Sequence, residues 1–484
     1  MKINCLKQYN PLSTKPKEEC GVFGVWAPHM EISRTIYFGL FALQHRGQES
    51  AGMTITVGNA LTEYRGMGLV SQVFDERILN ILRGQGGIGH VRYSTTGSPV
   101  QVNAQPVFVE HKGYKLGLGH NGNLVNTRIL REQLIRDGFS FETTSDSEVM
   151  ANLILKYYSK GMPIEDSIRE ALPKCQGAFT ALLITPRKII GFRDPLGVRP
   201  LSLGIQESNG NTAHFLSSET AAFDIISANL VREVKPGEAV ELNEDGVSSF
   251  FWTGKEPTQE KICMFEFLYF ARPDSYILGK LLHQVRQNMG RNLAAENNFD
   301  GDLVIAVPDS GTPHAIGLAA GTGIPFTEGL IKNRYVGRTF ISPTAKMRRT
   351  AVRMKLNPLH EVIQNKRVIL VDDSIVRGNT SKQIIELIRD AGAKEVHMAV
   401  ASPPVRYPCF YGIDTASPDQ LIASRMSIPD LCKFLGADSL TYLSIEGLIN
   451  ATGLHHDHFC LACLNDEYPI PIKQQLELSK LMLE

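Results

Sequence analysis

The sequence predicts two domains, an α+β domain of stacked layers and then an α/β domain with a doubly wound parallel sheet. Three observations support this prediction. The chain has 484 residues, more than one average domain contains. Up to about residue 247, short β-type runs alternate with Gly, Asn and Asp-Pro turns. Beyond residue 255, apolar runs are followed by small-residue turns and then helices, which is typical of parallel sheets.

Apolar spacing and turn residues define the elements of both halves. In the first half, helices are expected at residues 34–44, where Ile36, Leu40 and Leu43 share one face, and at 146–158, with Ser145 or Asp146 as the cap. In the second half, we expect one helix at residues 381–391 and a short terminal helix at 473–484. The predicted strands are 21–26, 53–57, 178–184, 188–193, 214–217, 238–242, 303–308, 368–373 and 396–402.

Composition excludes several classes of protein. Lys plus Arg number 50 and Asp plus Glu number 50, so no overall basic field attracts nucleic acid or anionic lipid. Apolar stretches such as residues 36–43 are far shorter than the roughly 18 residues that a membrane helix needs. Eight cysteines are too few for a disulfide scaffold of this length, which favours a reducing cytoplasm. Residues 1–19 lack the apolar core of a secretory signal and resemble an organellar transit peptide only weakly.

The most informative stretch is VILVDDSIVRGNTS at residues 368–381. An apolar strand ends in two carboxylates and leads through a hydroxyl-rich turn into a helix start. Backbone N–H groups, hydroxyls and a helix N-terminus suit a phosphate, while paired carboxylates suit ribose hydroxyls and Mg²⁺. An Asp-Asp pair alone would indicate a solvated turn before a capped helix. The complete pattern favours a phosphate site.

This stretch closely resembles the phosphoribosyl-diphosphate signature of type I phosphoribosyltransferases. The VPDSGT turn at residues 307–312 resembles their pyrophosphate-binding turn, and residues 332–340 resemble their mobile lid, although a basic loop also suits a solvated surface. The resemblance implies one Mg²⁺ per subunit on Ser310, Asp372 and Asp373. It implies phosphoribosyl-diphosphate binding by Ser310, Gly311, Lys332, Tyr335, Arg338, Asp372, Asp373, Ser374, Arg377, Gly378, Thr380 and Ser381.

Cys20 is the candidate nucleophile. It stands in EECGVFG at residues 18–24, after a short charged leader and at the start of the first apolar strand. A lone cysteine before glycine is usually a packed thiol or part of a turn. A cysteine exposed by removal of the leader would instead carry its own base, an α-amine with an ordinary pKa of about 8.

Later motifs resemble those of class II glutamine amidotransferases, N-terminal-nucleophile hydrolases with a four-layer αββα fold. The motifs are QHRGQES at 44–50, HVRYST at 90–95, HNGN at 120–123 and SDSE at 145–148. The resemblance implies that Arg46 and Gly47 support Cys20, that Asn121 and Gly122 form the oxyanion hole, and that glutamine is bound by Arg92, Thr95 and Asp146. Taken singly, Asn121-Gly122 would indicate a hairpin turn and Asp146 a helix cap.

The order of the two halves resembles the glutamine phosphoribosyldiphosphate amidotransferase family. The resemblance implies a leader at 1–19, a glutaminase domain at 20–255, a phosphoribosyltransferase domain at 256–464 and a helical tail at 465–484. It also implies a pentosyltransferase that releases ammonia from glutamine and displaces pyrophosphate from 5-phosphoribosyl 1-diphosphate. The product, 5-phosphoribosylamine, begins de novo purine synthesis. A homotetramer inhibited by AMP, GMP and related nucleotides is implied as well.

Two rival functions differ from this one. A non-catalytic regulator could use a phosphoribosyltransferase fold to sense phosphoribosyl diphosphate, but it would need neither a nucleophile nor a lid, and no DNA-binding motif is present in the sequence. A glutaminase that aminates another sugar phosphate would lack the phosphoribosyl signature.

Four cysteines suggest a metal centre. Cys460 and Cys463 form a C-x-x-C pair, and Cys263 and Cys409 are the remote candidates. Spacing alone does not choose between zinc and an iron–sulfur cluster. The resemblance extends to a branch of the family with a cleaved leader and implies one [4Fe–4S] cluster per subunit on these four residues. The HHDH run at 455–458 suggests zinc or, as we favour, a polar loop. No role is assigned to the remaining cysteines, Cys5, Cys175 and Cys432.

Overall fold

The computed structural model of the chain describes residues 20–94, 96–333, 354–413, 415 and 418–472. Several predicted features lie outside these residues: the leader 1–19 with Cys5, Thr95 of the glutamine clamp, Tyr335 and Arg338 of the lid segment, and residues 473–484. Of the expected tail at 465–484, the structure describes residues 465–472: residue 465 ends a short helix, and residues 466–472 are not helical.

Thirteen strands of the first half form two antiparallel sheets. They are β1 Gly21–Trp26, β2 Ser50–Val57, β3 Ala60–Met67, β4 Gly86–Arg92, β5 Val107–His111, β6 Tyr114–Leu124, β7 Gly177–Thr185, β8 Lys188–Arg193, β9 Ser202–Ser208, β10 Asn211–Ser217, β11 Asn229–Glu233, β12 Glu238–Asn243 and β13 Gly246–Phe251. One sheet has the order β11-β9-β10-β1-β4-β2-β3 and the other β13-β12-β8-β7-β6-β5. The first strand of the chain therefore lies in the middle of its sheet.

Helices cover the outer face of each sheet. They are α1 Ile32–Ala42, α2 Val70–Val73, α3 Glu76–Ile81, α4 Thr127–Arg136, α5 Asp146–Tyr158, α6 Ile164–Ala171 and α7 Ala221–Ile225. Between the sheets, Val22 of β1 and Leu182 of β7 belong to one buried cluster, which joins the two inner faces. Leu40 packs in a second cluster against the outer face of the first sheet, and Leu153 packs in a third against the second sheet. This is the expected four-layer αββα arrangement.

The described residues of the second half contain ten strands, β14 Ile262–Cys263, β15 Tyr276–Ile277, β16 Lys280–Leu281, β17 Leu303–Ala306, β18 Leu330–Lys332, β19 Leu356–Pro358, β20 Arg367–Asp372, β21 Glu395–Val400, β22 Ser439–Tyr442 and β23 Phe459–Cys460. Its helices are α8 Leu282–Glu296, α9 Thr312–Thr322, α10 His360–Ile363, α11 Asn379–Asp390, α12 Ile422–Arg425, α13 Ile428–Leu435, α14 Ile445–Thr452 and α15 Ala462–Asn465, with a π-helical turn at Glu266–Phe270.

The central sheet of this half is parallel, in the order β17-β20-β21-β22. Val304 of β17 also bridges Phe326 in a parallel sense on its other edge. From β17, the chain therefore first turns towards one edge of the sheet and later towards the other, which is the doubly wound arrangement that was predicted. Ligand sites in such sheets lie where the order reverses, at the carboxyl ends of the strands. Here that place is the end of β17 and β20.

The two halves share a buried core. Val125, Ala178 and Val198 of the first half pack in the same apolar cluster as Phe265 and Phe459 of the second. In the described residues, no helix is long and apolar enough to cross a membrane.

A close crossing of α8 and α9 supports the second half. A Cβ atom on Gly290 would lie 2.0 Å from the carbonyl oxygen of His314, and one on Gly317 would lie 1.9 Å from that of Gln287. Glycine is therefore needed at both positions so that the two backbones can touch.

We predict that Gly317→Ala destabilises the second half by about 2 kcal/mol, because the methyl group must displace backbone and this outweighs the better helix propensity of alanine. The measurement is the midpoint of urea unfolding followed by circular dichroism. Ala320→Ser, at an exposed position of the same helix, is the control. An unchanged midpoint for Gly317→Ala would show that the two helices separate without cost.

Candidate functional site

The Cys20 thiol is buried at the start of β1. Its Sγ donates a hydrogen bond to the carbonyl oxygen of Tyr93 at 3.2 Å. Burial raises the pKa of the thiol to about 12; the charge of Arg92 lowers this pKa, while Glu49 and Asp146 raise it. The predicted nucleophile and two of the predicted glutamine-binding residues, Arg92 and Asp146, therefore lie within electrostatic range of one another.

Asn121 and Gly122 stand inside the long strand β6 and not in a hairpin turn. The Asn121 side chain is fully buried, and among the described residues neither its amide nitrogen nor its oxygen has a hydrogen-bond partner. A buried amide without partners is costly in a folded protein unless something else satisfies it. Gly122 has φ of 140°, and a Cβ there would lie 2.0 Å from the carbonyl oxygen of Ala178. The strand thus presents an unpaired amide beside a position that only glycine fits.

Asp146 does not cap its helix. The cap is Ser145, whose side chain accepts from the backbone N–H of Glu148. The Asp146 carboxylate instead accepts from the N–H of Leu124 at 3.0 Å and lies 3.7 Å from Nδ1 of His120. Burial would raise the pKa of this carboxyl, but His120 and the hydrogen bonds hold it below its ordinary value. A buried, ionised carboxylate therefore lies beside the end of β6.

Arg92 is oriented by the turn that follows it. Its guanidinium donates to the carbonyl oxygens of Thr96, Gly97 and Ser98 at 3.1 to 3.3 Å. Gly47 packs against the same backbone, since a Cβ there would lie 2.6 to 2.7 Å from main-chain atoms of Val91 and Arg92. The two predicted residues are thus tied together by close backbone packing.

Arg46 contacts the nucleophile and two buried carboxylates. Its Nε donates to the carbonyl oxygen of Cys20 at 3.1 Å. One terminal nitrogen donates to Glu219 at 2.6 Å, and both terminal nitrogens donate to Glu266, at 3.0 and 2.7 Å. No sequence motif indicated either carboxylate. Glu266 follows Cys263 by three residues, but no local pattern pairs it with an arginine 220 positions earlier.

The second candidate site lies at the end of β17 and β20. These strands pair in parallel from Leu303↔Val368 to Ala306↔Val371, and the N–H of Val307 then donates to the carbonyl oxygen of Val371. A Cβ on Gly311 would lie 2.7 Å from the same oxygen. The predicted pyrophosphate turn and the predicted acidic pair are therefore adjacent in space.

The acidic pair is buried. Asp372 and Asp373 are 1% and 0% exposed, and the Ser374 hydroxyl donates to Asp373 at 2.7 Å. Gly378, at φ of 74°, leads into helix α11, which carries Thr380 and Ser381. Carboxylate oxygens in this setting are donors of the kind that Mg²⁺ prefers.

Three basic side chains surround this edge of the sheet. Lys332 Nζ lies 2.6 Å from a carboxylate oxygen of Asp309 in the pyrophosphate turn. Arg377 donates to Gln420. Arg286, which no sequence motif indicated, is fully buried; burial lowers the pKa of its guanidinium to about 10, and the charge of Asp373 opposes that shift.

The four predicted cluster cysteines come together in the apolar core that the two halves share. Cys263 and Cys460 are paired in register on β14 and β23. The N–H of Tyr411 donates to the Cys409 Sγ at 3.4 Å. The pKa of the Cys463 thiol is raised by burial first and then by the other three cysteines, which places all four in one neighbourhood.

The separation of these sulfurs bears on which metal group would fit. Among the described residues, no three of the four sulfurs lie mutually within 4.8 Å. A tetrahedral zinc ion would draw its thiolates to roughly 3.8 Å of one another, since a Zn–S bond is about 2.3 Å long. The four thiols are chemically suited to iron or to zinc, and the sulfur positions here are not those of a bound zinc ion.

The HHDH run is largely exposed, and its last three residues, His456–His458, form a 3₁₀ turn. The ligand atoms of His455, His456 and Asp457 lie within 4.8 Å of one another, and each imidazole pairs with one oxygen of the carboxylate, at 3.1 and 3.0 Å. The Lys261 ammonium also lies 3.7 Å from this carboxylate. The three side chains therefore contact one another at the surface, in an arrangement that suits a polar segment and would also be close enough for a metal ion.

Family models match both halves of the chain. A glutamine amidotransferase domain model matches residues 90–224, and a phosphoribosyl transferase domain model matches residues 279–404. The chain is 51% identical to the amidophosphoribosyltransferase of Synechococcus elongatus over 470 residues, which cover 97% of this chain and 95% of that protein. It is 46% identical to the Bacillus subtilis amidophosphoribosyltransferase, over 95% of this chain and 96% of that protein.

Solved structures agree. The glutamine phosphoribosylpyrophosphate amidotransferase of Bacillus subtilis, complexed with ADP and GMP, matches with a TM-score of 0.88 and 44% identity, over 95% of this chain and 99% of that chain. A structure described as the allosteric regulatory enzyme of purine biosynthesis also has a TM-score of 0.88, at 45% identity, over 94% and 97% of the two chains. These likenesses favour the catalytic interpretation over a non-catalytic regulator. The chain belongs to the amidophosphoribosyltransferase family, glycosyltransferases of purine biosynthesis.

Proposed function

We propose that this chain hydrolyses glutamine at Cys20 and uses the ammonia to displace pyrophosphate from 5-phosphoribosyl 1-diphosphate at Asp372 and Asp373. The observation that carries the proposal is the buried, unpaired Asn121 amide in the part of the fold that also holds Cys20 and Asp146. Such an amide can donate a hydrogen bond to an oxygen that becomes negative only during the reaction and can stabilise its charge. The product is 5-phosphoribosylamine.

In the glutaminase step, the Cys20 thiolate attacks the side-chain amide of glutamine. Arg92 binds the substrate carboxylate, and Asp146 binds its ammonium group, which together fix the reacting carbon. The oxyanion forms against Asn121 and the N–H of Gly122. Ammonia leaves, and water then hydrolyses the glutamyl thioester. Thr95, outside the described residues, completes the glutamine site in this proposal.

A free α-amine on Cys20 is the base in this proposal. Burial raises the pKa of the Cys20 thiol to about 12, so the thiol needs a proton acceptor. Removal of residues 1–19 would place an amine with an ordinary pKa of about 8 on the same residue. We therefore propose that the leader is cleaved after Glu19.

Contacts between the halves support direct ammonia transfer. The Asn123 side chain, one residue beyond Gly122, donates to the carbonyl oxygen of Phe410 at 3.0 Å. A Cβ on Gly412 would lie 3.3 Å from main-chain atoms of Gly122. Strand β6, which carries Asn121 and Gly122, therefore lies against the second half. Ammonia released there would be shielded from protonation by bulk water.

At the phosphoribosyl site, Asp372 and Asp373 would hold the ribose hydroxyls. Ser374, Thr380, Ser381 and the start of α11 would bind the 5-phosphate, and Ser310 and Gly311 the pyrophosphate. Lys332, Arg377 and, outside the described residues, Tyr335 and Arg338 would surround the substrate. Mg²⁺, one per subunit on Ser310, Asp372 and Asp373, would supply charge neutralisation for the departing pyrophosphate.

We also propose one structural [4Fe–4S] cluster per subunit on Cys263, Cys409, Cys460 and Cys463. Its thiols need a reducing compartment, which we propose to be the cytoplasm. A homotetramer regulated by purine nucleotides such as AMP and GMP is proposed from the family resemblance, and nucleotide ligands in the Bacillus subtilis structure support that regulation.

Replacing the nucleophile separates the two half-reactions. Cys20→Ser should reduce glutamine-dependent synthesis at least ~10³-fold, because no thiolate remains, and should leave synthesis from ammonium salts unchanged. Both rates are measured as pyrophosphate release. Cys175→Ser, which removes another thiol of the same half, is the control. Parallel loss of both activities in Cys20→Ser would contradict a two-site enzyme.

Replacing one residue of the acidic pair should impair the phosphoribosyl reaction and spare glutamine hydrolysis. Asp373→Asn should lower both glutamine- and ammonium-dependent synthesis at least about 100-fold, since ribose and metal contacts are lost. Basal release of glutamate from glutamine should persist. Asp430→Asn, on an exposed helix start, serves as the matched variant. Retained synthesis in Asp373→Asn would place the phosphoribosyl site elsewhere.

Intact mass and metal content test the leader and the cluster together. Freshly purified protein should begin at Cys20 and carry four iron atoms per chain, and Cys409→Ser should lose the iron while Cys432→Ser keeps it. A fully active chain that still begins with Met1 would contradict the cleavage proposal. Stoichiometric zinc in place of iron would contradict the cluster.

A further inference from the structure

Glu266 reaches from the second half of the chain into the glutaminase site. Its side chain is fully buried, and both of its carboxylate oxygens accept from the Arg46 guanidinium, at 2.7 and 3.0 Å. Arg46 is itself 1% exposed. A bidentate arginine–carboxylate pair fixes the plane of the guanidinium as well as its position.

The same guanidinium holds the main chain of the nucleophile. Arg46 Nε donates to the carbonyl oxygen of Cys20 at 3.1 Å. The orientation that Glu266 imposes on Arg46 is therefore passed directly to the residue that carries the reacting sulfur. Arg46 is the only link needed between Glu266 and Cys20.

The second acid, Glu219, does not duplicate this arrangement. It accepts from Arg46 through one oxygen, which also lies 2.7 Å from Nε2 of His45. Its other oxygen accepts from the N–H of Arg272 and the hydroxyl of Ser275. Because its oxygens are shared among four groups, Glu219 cannot fix the plane of the guanidinium alone.

The backbone around Glu266 is anchored by Arg286. Its Nε donates to the carbonyl oxygen of Phe267 at 2.8 Å, and one terminal nitrogen donates to those of Ala271 and Glu266 at 2.6 and 3.3 Å. The π-helical turn that carries Glu266 is thus held by a buried guanidinium that also lies near Asp373. Glu266 is presented from a rigid support.

We propose that Glu266 is a positioning residue for glutamine hydrolysis, so that the glutaminase site is completed by a carboxylate from the phosphoribosyltransferase half. The inference rests on the proposed role of Cys20. A buried ion pair is weak evidence for stability, since well-packed apolar residues often serve as well. The value of this pair lies in the geometry that it gives to Cys20. Without the Glu266 charge, Arg46 loses its bidentate partner while Glu219 stays shared, so the guanidinium holds the Cys20 carbonyl less firmly.

The test compares Glu266→Gln with Glu260→Gln. Glu260 also belongs to the second half and pairs with an arginine of the first, Arg193, at 3.4 Å, so the control removes the same charge from another junction contact. Both proteins are assayed as the full chain for glutamine kcat and KM, for ammonium-dependent synthesis, and for the rate at which a glutamine-like diazoketone alkylates the thiol.

Glu266→Gln should lower the glutamine kcat by about 10- to 100-fold and slow alkylation in parallel, because a small misplacement of a nucleophile is enough for such a loss. The KM for glutamine should stay unchanged, since Arg92 and Asp146 are untouched. Ammonium-dependent synthesis should also stay unchanged. Glu266→Asp, which keeps the charge, should recover part of the lost kcat, and Glu260→Gln should behave as the unmodified enzyme.

Three results would overturn the inference. They are an unchanged glutamine kcat in Glu266→Gln, a parallel fall of ammonium-dependent synthesis, which would indicate a structural role, and an equal defect in Glu260→Gln. Failure of the proposed function is recognised separately. If the diazoketone labels a residue other than Cys20 in the unmodified enzyme, the nucleophile assignment is wrong before any variant is compared.

Discussion

The two halves of this protein meet around a buried charge cluster centred on Arg46. Two carboxylates, Glu219 and Glu266, and a second arginine, Arg199, lie there with almost no exposure to solvent. Moving such charges out of water is costly unless they are matched. Burial would raise the pKa of both carboxyls, but the neighbouring cations hold both below their ordinary values. The cluster is therefore ionised and balanced only when the two halves are assembled.

Close backbone contact extends the junction between the halves to strand β6, which carries Asn121 and Gly122. Gly412 lies between Arg199 and Gly122, and a side chain at this position would press on both. Arg199 in turn donates to the carbonyl oxygen of Tyr411 at 2.7 Å. Tyr411 and Gly412 lie in the same short segment as Cys409. This segment therefore connects the cysteine group with Arg199 at the junction and with strand β6. Their positions cannot change independently.

The phosphoribosyl site depends on a different constraint, the register of parallel strands. Pairing of β17 with β20 ends both strands at the same level, so turns that are about 65 residues apart in sequence become neighbours. Each turn was recognisable from the sequence alone, because its residues are close together along the chain. Glycine allows close approach, hydroxyls and N–H groups suit phosphate, and the carboxylates stand at a strand end. Strand order and register then bring the two turns together.

Sequence patterns determined much of the architecture. Strands β1 and β8 and helix α5 have the predicted bounds, and the change from turn-rich antiparallel strands to strand–turn–helix units separates the two folds. The acidic pair and the motif around Cys20 were also found, because those residues lie close together along the chain. For Asp146, the sequence left open whether it or Ser145 capped the helix. The tertiary structure decided that, because the Asp146 carboxylate accepts from the N–H of Leu124 on strand β6.

The tertiary structure alone revealed Glu266 and Arg286. Glu266 is a single charged residue in an apolar segment, and Arg286 lies on a mostly polar helix. The partners of each lie in elements that only folding brings near. The orphaned amide of Asn121 likewise cannot be read from an Asn-Gly pair, which is equally suited to a turn. Short motifs indicate local chemistry from the sequence. The pairing of buried charges depends instead on which distant segments pack together and exclude water.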